Sequence, residues 1–236
     1  MIQLLAGATD YPGYDYGLPD CELDCSRVKE AFKPFAKVKT LTAKRPTYDA
    51  LRAAVQSFAR NLKPSDFGLL YWSGHGTVDS INGRRVEAIV CYGGELYYDF
   101  EMRADLNLRP DGAMIAALVD ACHSGGLPRG HKGRVRKLPI ADCVRRSVSL
   151  PARSPAKPNA IFSACKATEV AYSTGDGGAM TLAFLKAFKQ RKDKTTLPAL
   201  FKAIQKELPS DEWPQTPQFV CDDVLAGRTL KSFVGK

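Results

Sequence analysis

The chain has 236 residues, 44% of them hydrophobic, and a formal net charge of +9. That length suits one α/β domain with a sizeable core. No apolar run reaches the roughly 18–20 residues of a membrane span, and the opening MIQLLAGATDYPGYDYG lacks the basic and long apolar regions of a signal peptide, so a soluble cytoplasmic protein without membrane contact is expected.

In chain order, residues 2–8 (IQLLAGA) are a short apolar run ending in turn residues and predict a buried first strand. Residues 22–36 carry Leu23, Val28, Ala31, Phe32 and Phe35 at mixed three-to-four spacing, which predicts a helix that Pro34 ends or bends. Val38 to Leu41 is a candidate second strand. Pro46 and Thr47 open a helix to about Asn61, with Leu51, Ala54, Val55 and Phe58 on one face. Residues 67–72 (FGLLYW) predict the next strand, and Asn82-Gly83 between two β-prone runs predicts a hairpin from Val78 to Cys91. Residues 113–121 (AMIAALVDA) and 160–164 (AIFSA) look like strands buried on both faces. Met180 to Gln190 and Leu197 to Leu208 are predicted helices, and Gln218 to Cys221 a last strand. This alternation favours a mainly parallel central sheet with helices on both faces, an αβα sandwich.

The seven cysteines are odd in number, and a chain this long needs no staples, so reduced thiols are expected. Cys21 and Cys25 have a CxxxC spacing, but no second ligand pair of fitting spacing follows to complete a zinc site. The charge is concentrated between Gly126 and Pro158, where nine basic residues face one acidic residue, Asp142. Rich in Pro, Gly and Ser, this segment is expected to be a mobile solvated loop. It divides one domain into a larger part, residues 1–125, a basic linker, residues 126–158, and a smaller part, residues 159–236.

Two predicted strands end in small, glycine-rich turns able to do chemistry: YWSGHG (Tyr71 to Gly76) and DACHSGG (Asp120 to Gly126). In an open α/β sheet, reactive groups gather beyond the carboxyl ends of the strands. His75 and Cys122 would therefore stand at one rim. A free thiol is only a few per cent thiolate at neutral pH; a neighbouring imidazole favours the thiolate and can protonate an amine leaving group. The backbone N–H groups of Gly76 and Cys122 are natural donors to an oxyanion. Taken singly, a cysteine after an apolar strand is usually a core residue and a histidine in a turn is usually structural. Paired on two glycine turns they gain force. His123 is a competing base but should face away from its neighbour Cys122; His131 lies in the basic loop.

SGHG followed by D-A-C-H-S-G resembles the caspase clan, and most resembles metacaspases and their bacterial relatives. A-G-A-T-D-Y, L-P-D-C-E-L-D-C, S-A-C-K-A-T-E-V-A-Y, G-G-A-M-T-L-A-F-L-K-A-F and Q-T-P-Q-F extend the likeness over most of the chain. The resemblance implies a caspase-like fold, a monomer, and a cysteine endopeptidase with a Cys–His dyad that hydrolyses protein or peptide substrates after Arg or Lys. It also implies an acidic pocket for the basic side chain, formed by Asp24 and Asp120 with Cys21 and Ser73 lining it. Two carboxylates in a partly desolvated pocket reward a cationic group and reject an acidic one. Many metacaspases bind calcium after the hairpin that follows the catalytic histidine. Here Glu87, Asp99 and Glu101 remain as weak candidates beside Arg84 and Arg85, too few carboxylates for a tight site, so no cofactor and no calcium requirement are expected.

The basic loop leaves the sheet directly after the Cys122 turn, next to that expected acidic pocket. It is therefore a candidate substrate in cis, with Arg136, Lys137, Arg145, Arg146 and Arg153 as possible cleavage points. Two other readings stay open. One is electrostatic binding of nucleic acid or another anionic surface, which the lack of interleaved aromatics disfavours. The other is an inactive scaffold, which the intact His75 and Cys122 disfavour.

Overall fold

A computed structural model describes residues 2–11, 17–34, 45–122, 134–152, 156, 158–192 and 194–234. In chain order the elements are β1 (Ile2–Gly7), α1 (Cys21–Phe32), α2 (Tyr48–Arg60), β2 (Phe67–Ser73), β3 (Gly76–Ile81), β4 (Arg84–Val90), β5 (Leu96–Tyr98), α3 (Asp99–Leu106), β6 (Met114–Asp120), β7 (Arg134–Val135), β8 (Ala160–Ser163), β9 (Tyr172–Ser173), α4 (Ala179–Lys189), α5 (Leu197–Ile204), β10 (Gln218–Cys221), α6 (Asp223–Ala226) and α7 (Leu230–Val234), with a 3₁₀ turn at Ile140–Asp142.

The central sheet has the order β1-β2-β6-β8-β10. Its first four strands are parallel and β10 runs antiparallel to β8. Alternation along the strands sends Leu5, Tyr71, Leu118 and Phe162 to one face, against Cys25, Val28 and Phe32 of α1, Phe184 and Phe188 of α4 and Leu200 of α5. It sends Leu4, Leu70, Trp72 and Ile115 to the other, against Leu51, Val55 and Phe58 of α2 and Leu106 of α3. α2 forms because its apolar residues recur at helical spacing and the Thr47 hydroxyl accepts from Ala50 N–H at 3.4 Å. Its Phe58 ring needs Gly68 on β2: a Cβ there would lie 2.6 Å from Phe58 Cζ. Truncating Phe58 to alanine would cost roughly 3–5 kcal/mol.

The predicted strands 2–8, 67–72, 113–121, 160–164 and 218–221 and the helices after Thr47 and before Gln190 are present. The hairpin turns at Asn82 and Gly83, both at positive φ (51° and 73°), and β5 extends it to a three-stranded sheet. The first helix stops at Phe32, before Pro34, and the helix expected to reach Leu208 stops at Ile204. The strand expected at Val38–Leu41 lies outside the described residues. No helix among the described residues is long and apolar enough to cross a membrane.

Candidate active site

Strands β2 and β6 pair in parallel, with Ser73 opposite Asp120. Gly74 N–H donates to Asp120 O at 3.3 Å, so the two chains stay aligned past the strand ends. Two residues further on come His75 and Cys122, on the two neighbouring chains just past the strand ends. His75 is fixed by Tyr11, whose hydroxyl accepts from His75 N–H at 2.9 Å and whose ring lies 4.7 Å from the imidazole. The Tyr11 hydroxyl in turn donates to Val90 O. Cys122 Sγ donates to Glu169 O at 3.5 Å, an acceptor it shares with Cys165 Sγ.

The basic segment crosses directly in front of this pair. β7 pairs antiparallel with β9, Arg134 opposite Ser173 and Val135 opposite Tyr172. Arg136 N–H then donates to Ala171 O at 2.9 Å. Arg136 O accepts from two N–H groups at once, Gly76 and Cys122, each at 3.1 Å. Leu138 N–H returns a bond to Gly76 O at 3.2 Å, and the Leu138 side chain is buried in the core on the α2 face. Two donors on one carbonyl oxygen, beside a thiol, are the arrangement that stabilises the oxyanion of acyl transfer.

The Arg136 side chain, 0% exposed, fills an acidic pocket below the rim. Its Nη2 meets Asp24 Oδ2 at 2.7 Å and Asp20 Oδ2 at 3.4 Å. Its Nη1 donates to Ser73 Oγ and to Asp120 O, with Asp120 Oδ2 at 3.8 Å. The carboxylates are themselves held. Asp24 accepts from Ser73 Oγ at 2.8 Å and Gly178 N–H at 3.1 Å; Asp120 accepts from Thr181 N–H at 2.9 Å and its hydroxyl at 2.6 Å; Ser173 donates to Asp20. Burial pushes Asp24 up to about 6, against the pull of Arg136 and the Ser73 bond. Burial pulls Arg136 down, but Asp120, Cys21, Asp24 and Asp20 outweigh it and hold the guanidinium well above its ordinary value. Burial likewise pushes the Cys21 thiol up to about 12, so it lines the pocket as a neutral group.

Residues Cys21, Asp24, Ser73 and Asp120 thus lie together around the Arg136 side chain. Asp20, Ser173 and Thr181 belong to the same pocket and were not anticipated. Asp20 precedes α1 by one residue and lies four residues before Asp24, a spacing that puts both on one face of a helical turn. Gly177 and Gly178 form the wall: a Cβ on Gly178 would stand 2.1 Å from Asp120 Oδ2 and 2.6 Å from Arg136 Cζ.

The expectation of a mobile solvated loop does not hold for residues 134–152, because the carboxylates that bind them lie far away in sequence. Arg145 forms two bonds to Asp79, at 2.8 and 3.1 Å. Arg146 meets both oxygens of Glu101, at 2.6 and 2.9 Å, and lies 3.5 Å over the Tyr48 ring. Val144 N–H donates to Gly94 O at 2.8 Å. Lys137 sits at the rim, bridged to Gly76. Of the four candidate cleavage points among the described residues, only Arg136 occupies the pocket; the fifth, Arg153, like His123 and His131, lies outside the described residues. Of the calcium candidates, Glu101 is engaged by Arg146 and by the Tyr48 hydroxyl, and Asp99 by Arg103. No group of three or more metal-ligating side chains occurs among the described residues. Cys21 and Cys25 are both buried along α1, Cys25 in the core.

The caspase-domain family matches residues 2–226. The chain belongs to the caspase-domain family of cysteine peptidases. Among solved structures, protein GSU0716 from Geobacter sulfurreducens is similar over 99% of this chain and 98% of its own, at 21% identity and a TM-score of 0.77. Caspase-1 from Spodoptera frugiperda is similar over 93% of this chain and 84% of its own, at 14% identity and a TM-score of 0.63. No curated protein sequence matches the chain. The family assignment makes this caspase-domain protein a peptidase of the hydrolase class acting on protein substrates, on a caspase-like fold with a mainly parallel central sheet.

Proposed function

We propose that this caspase-domain protein is a cysteine endopeptidase that hydrolyses peptide bonds after Arg or Lys with His75 and Cys122, and that its first substrate is its own Arg136–Lys137 bond. One observation carries this reading. The residue whose guanidinium fills the acidic pocket is the same residue whose carbonyl oxygen receives N–H bonds from Gly76 and Cys122. Pocket, donors and thiol are therefore registered on one peptide unit. Cys122 thiolate attacks the Arg136 carbonyl carbon, the developing oxyanion is held by the two N–H groups, and His75 delivers a proton to the Lys137 nitrogen as the C–N bond breaks. Water then hydrolyses the thioester. Each oxyanion donor is worth roughly 3 kcal/mol of transition-state stabilisation.

The enzyme works without calcium, as a monomer, in the cytoplasm. The support for these is the engagement of Glu101 and Asp99 by arginines, the likeness to metacaspases, and seven reduced cysteines. The alternative of an inactive scaffold that binds anionic surfaces through its basic loop has less support, because Arg136, Arg145 and Arg146 are paired with the protein's own carboxylates. The testing experiment is a fluorogenic panel with Arg, Lys and Asp at the position before the cut, run on wild type and Cys122→Ala. Arg and Lys substrates turn over and the variant is silent; preference for Asp would overturn the pocket assignment.

A further inference from the structure

The peptide bond between Arg136 and Lys137 is anchored on both sides, and the two anchors are independent. Before the bond, the hold consists of the β7–β9 pairing, the Arg136 N–H bond to Ala171 and the pocket itself. After the bond, Leu138 is buried and tied to Gly76, Val144 is tied to Gly94, and Arg145 and Arg146 are clamped on Asp79, Glu101 and the Tyr48 ring. Cutting the bond removes none of the second set. The amine released at Lys137 therefore remains beside Gly76, at the spot from which it left.

This has a chemical consequence. An ordinary leaving amine diffuses away and water takes the thioester. Here the amine is held against the thioester carbonyl, where a well-oriented intramolecular nucleophile acts at an effective molarity on the order of 10⁵ M or more. Water has to reach the same carbonyl in a site where Cys122 is 0% exposed and His75 2%.

Building on the endopeptidase reading above, we propose that the chain is also a peptide ligase towards its own Lys137: the acyl-enzyme is resealed by the retained amine faster than water hydrolyses it, and the Arg145–Arg146 clamp sets that partition. In the forward step the Cys122 Sγ–C bond forms, the Arg136 C–Lys137 N bond breaks, and a proton passes from His75 to the amine. In the reverse step the amine lone pair attacks the thioester carbonyl, the C–N bond re-forms, the C–S bond breaks, the proton returns to His75, and thiolate is regenerated. No oxidant or co-reactant is needed. Arg145 and Arg146 act as positioning residues, and the linker becomes a latch that opens slowly while the clamp holds and faster once it lets go. The clamp predicts a sign that simple substrate binding does not: loosening it speeds net opening, although it removes contacts to the substrate segment.

The test uses full-length protein: wild type, Cys122→Ala, and Arg145→Ala/Arg146→Ala, each incubated with and without hydroxylamine, a small amine that traps thioesters. The readouts are the two-chain fraction and the mass of the Arg136 terminus. Hydroxylamine should raise the wild-type opening rate about tenfold or more and yield the Arg136 hydroxamate, because it diverts an acyl-enzyme that otherwise reseals. The double variant should open several-fold faster than wild type without the trap and gain less than about twofold from it, the partition already favouring water. Its thermal midpoint is read alongside, and Arg145→Ala alone replaces it if the fold is lost; the wild-type arm depends on neither. If wild type cuts and hydroxylamine leaves its rate unchanged, or if a folded clamp variant opens no faster, resealing is overturned while the endopeptidase reading stands. If no cut and no hydroxamate form in any arm, both fall.

Discussion

Replacing Asp24 with asparagine keeps the volume of the pocket and removes one charge. Asp24 is 0% exposed and accepts from Arg136 Nη2 at 2.7 Å, from Ser73 Oγ at 2.8 Å and from Gly178 N–H at 3.1 Å. Asparagine can keep one acceptor for Gly178, but its amide then presents N–H groups to Ser73 or the guanidinium. One charge-assisted bond, worth about 1.5–3 kcal/mol, is lost, and a buried charged group loses a partner, a change that costs roughly 2–5 kcal/mol. The expected loss for an Arg substrate is about 2–4 kcal/mol, or roughly 30- to 1000-fold in kcat/KM. The assay is hydrolysis of an Arg fluorogenic peptide together with the rate of cutting at Lys137. A loss below about threefold would refute the reasoning that Asp24 pairs the substrate cation.

The same carboxyl sets two pH effects of opposite kind. Burial raises Asp24 to about 6, so the folded chain holds its proton more tightly than the unfolded chain does. Its contribution to stability is therefore fully present below the ordinary carboxylate range and is lost as pH rises through about 6. Pairing with arginine needs the ionised form, so activity on Arg substrates should fall as pH drops through about 6, and Asp24→Asn should lack that limb. A pH profile unchanged by the substitution contradicts this.

Gly178→Ala drives a Cβ to 2.6 Å from the Arg136 guanidinium carbon, and should lower kcat/KM for Arg peptides about 5- to 150-fold through overpacking, read by steady-state kinetics. Arg136→Gln should leave the chain uncut at Lys137 while the free energy of unfolding falls by about 3–5 kcal/mol, read by thermal denaturation, since Asp20, Asp24 and Asp120 then share a pocket without a cation. Turnover measured in chelator and in millimolar calcium should agree, because Glu101 and Asp99 are already engaged by Arg146 and Arg103; a large calcium stimulation contradicts it.

The strands were legible because each is a short apolar run between turn residues, and the His75–Cys122 pair because two such runs end in glycine turns. Asp24 and Asp120 came through the family likeness, not through spacing. Asp20 was readable in principle, four residues before Asp24, but its burial depends on Ser173 and Arg136, which are far away in sequence. α3 escaped because DFEMRADL has little apolar periodicity; its start is fixed by Glu101 reaching back to Tyr98 N–H at 3.2 Å. The basic linker misled for a related reason. Charge composition alone favours solvation, and nothing local to Arg145 or Arg146 announces that Asp79 and Glu101 await them. Nor could composition single out Arg136 from Arg134, Lys137 or Arg145. That choice is made by the β7–β9 register, which delivers Arg136 to Ala171, Gly76 and Cys122.

The most direct test of the account is the amino-terminal residue of the smaller fragment formed when purified wild type is incubated alone, with Cys122→Ala beside it. The account predicts a fragment beginning at Lys137 in wild type and an intact chain in the variant. A fragment beginning elsewhere, a wild type that stays a single chain even with hydroxylamine present, or a cut at Lys137 that persists in Cys122→Ala would contradict it.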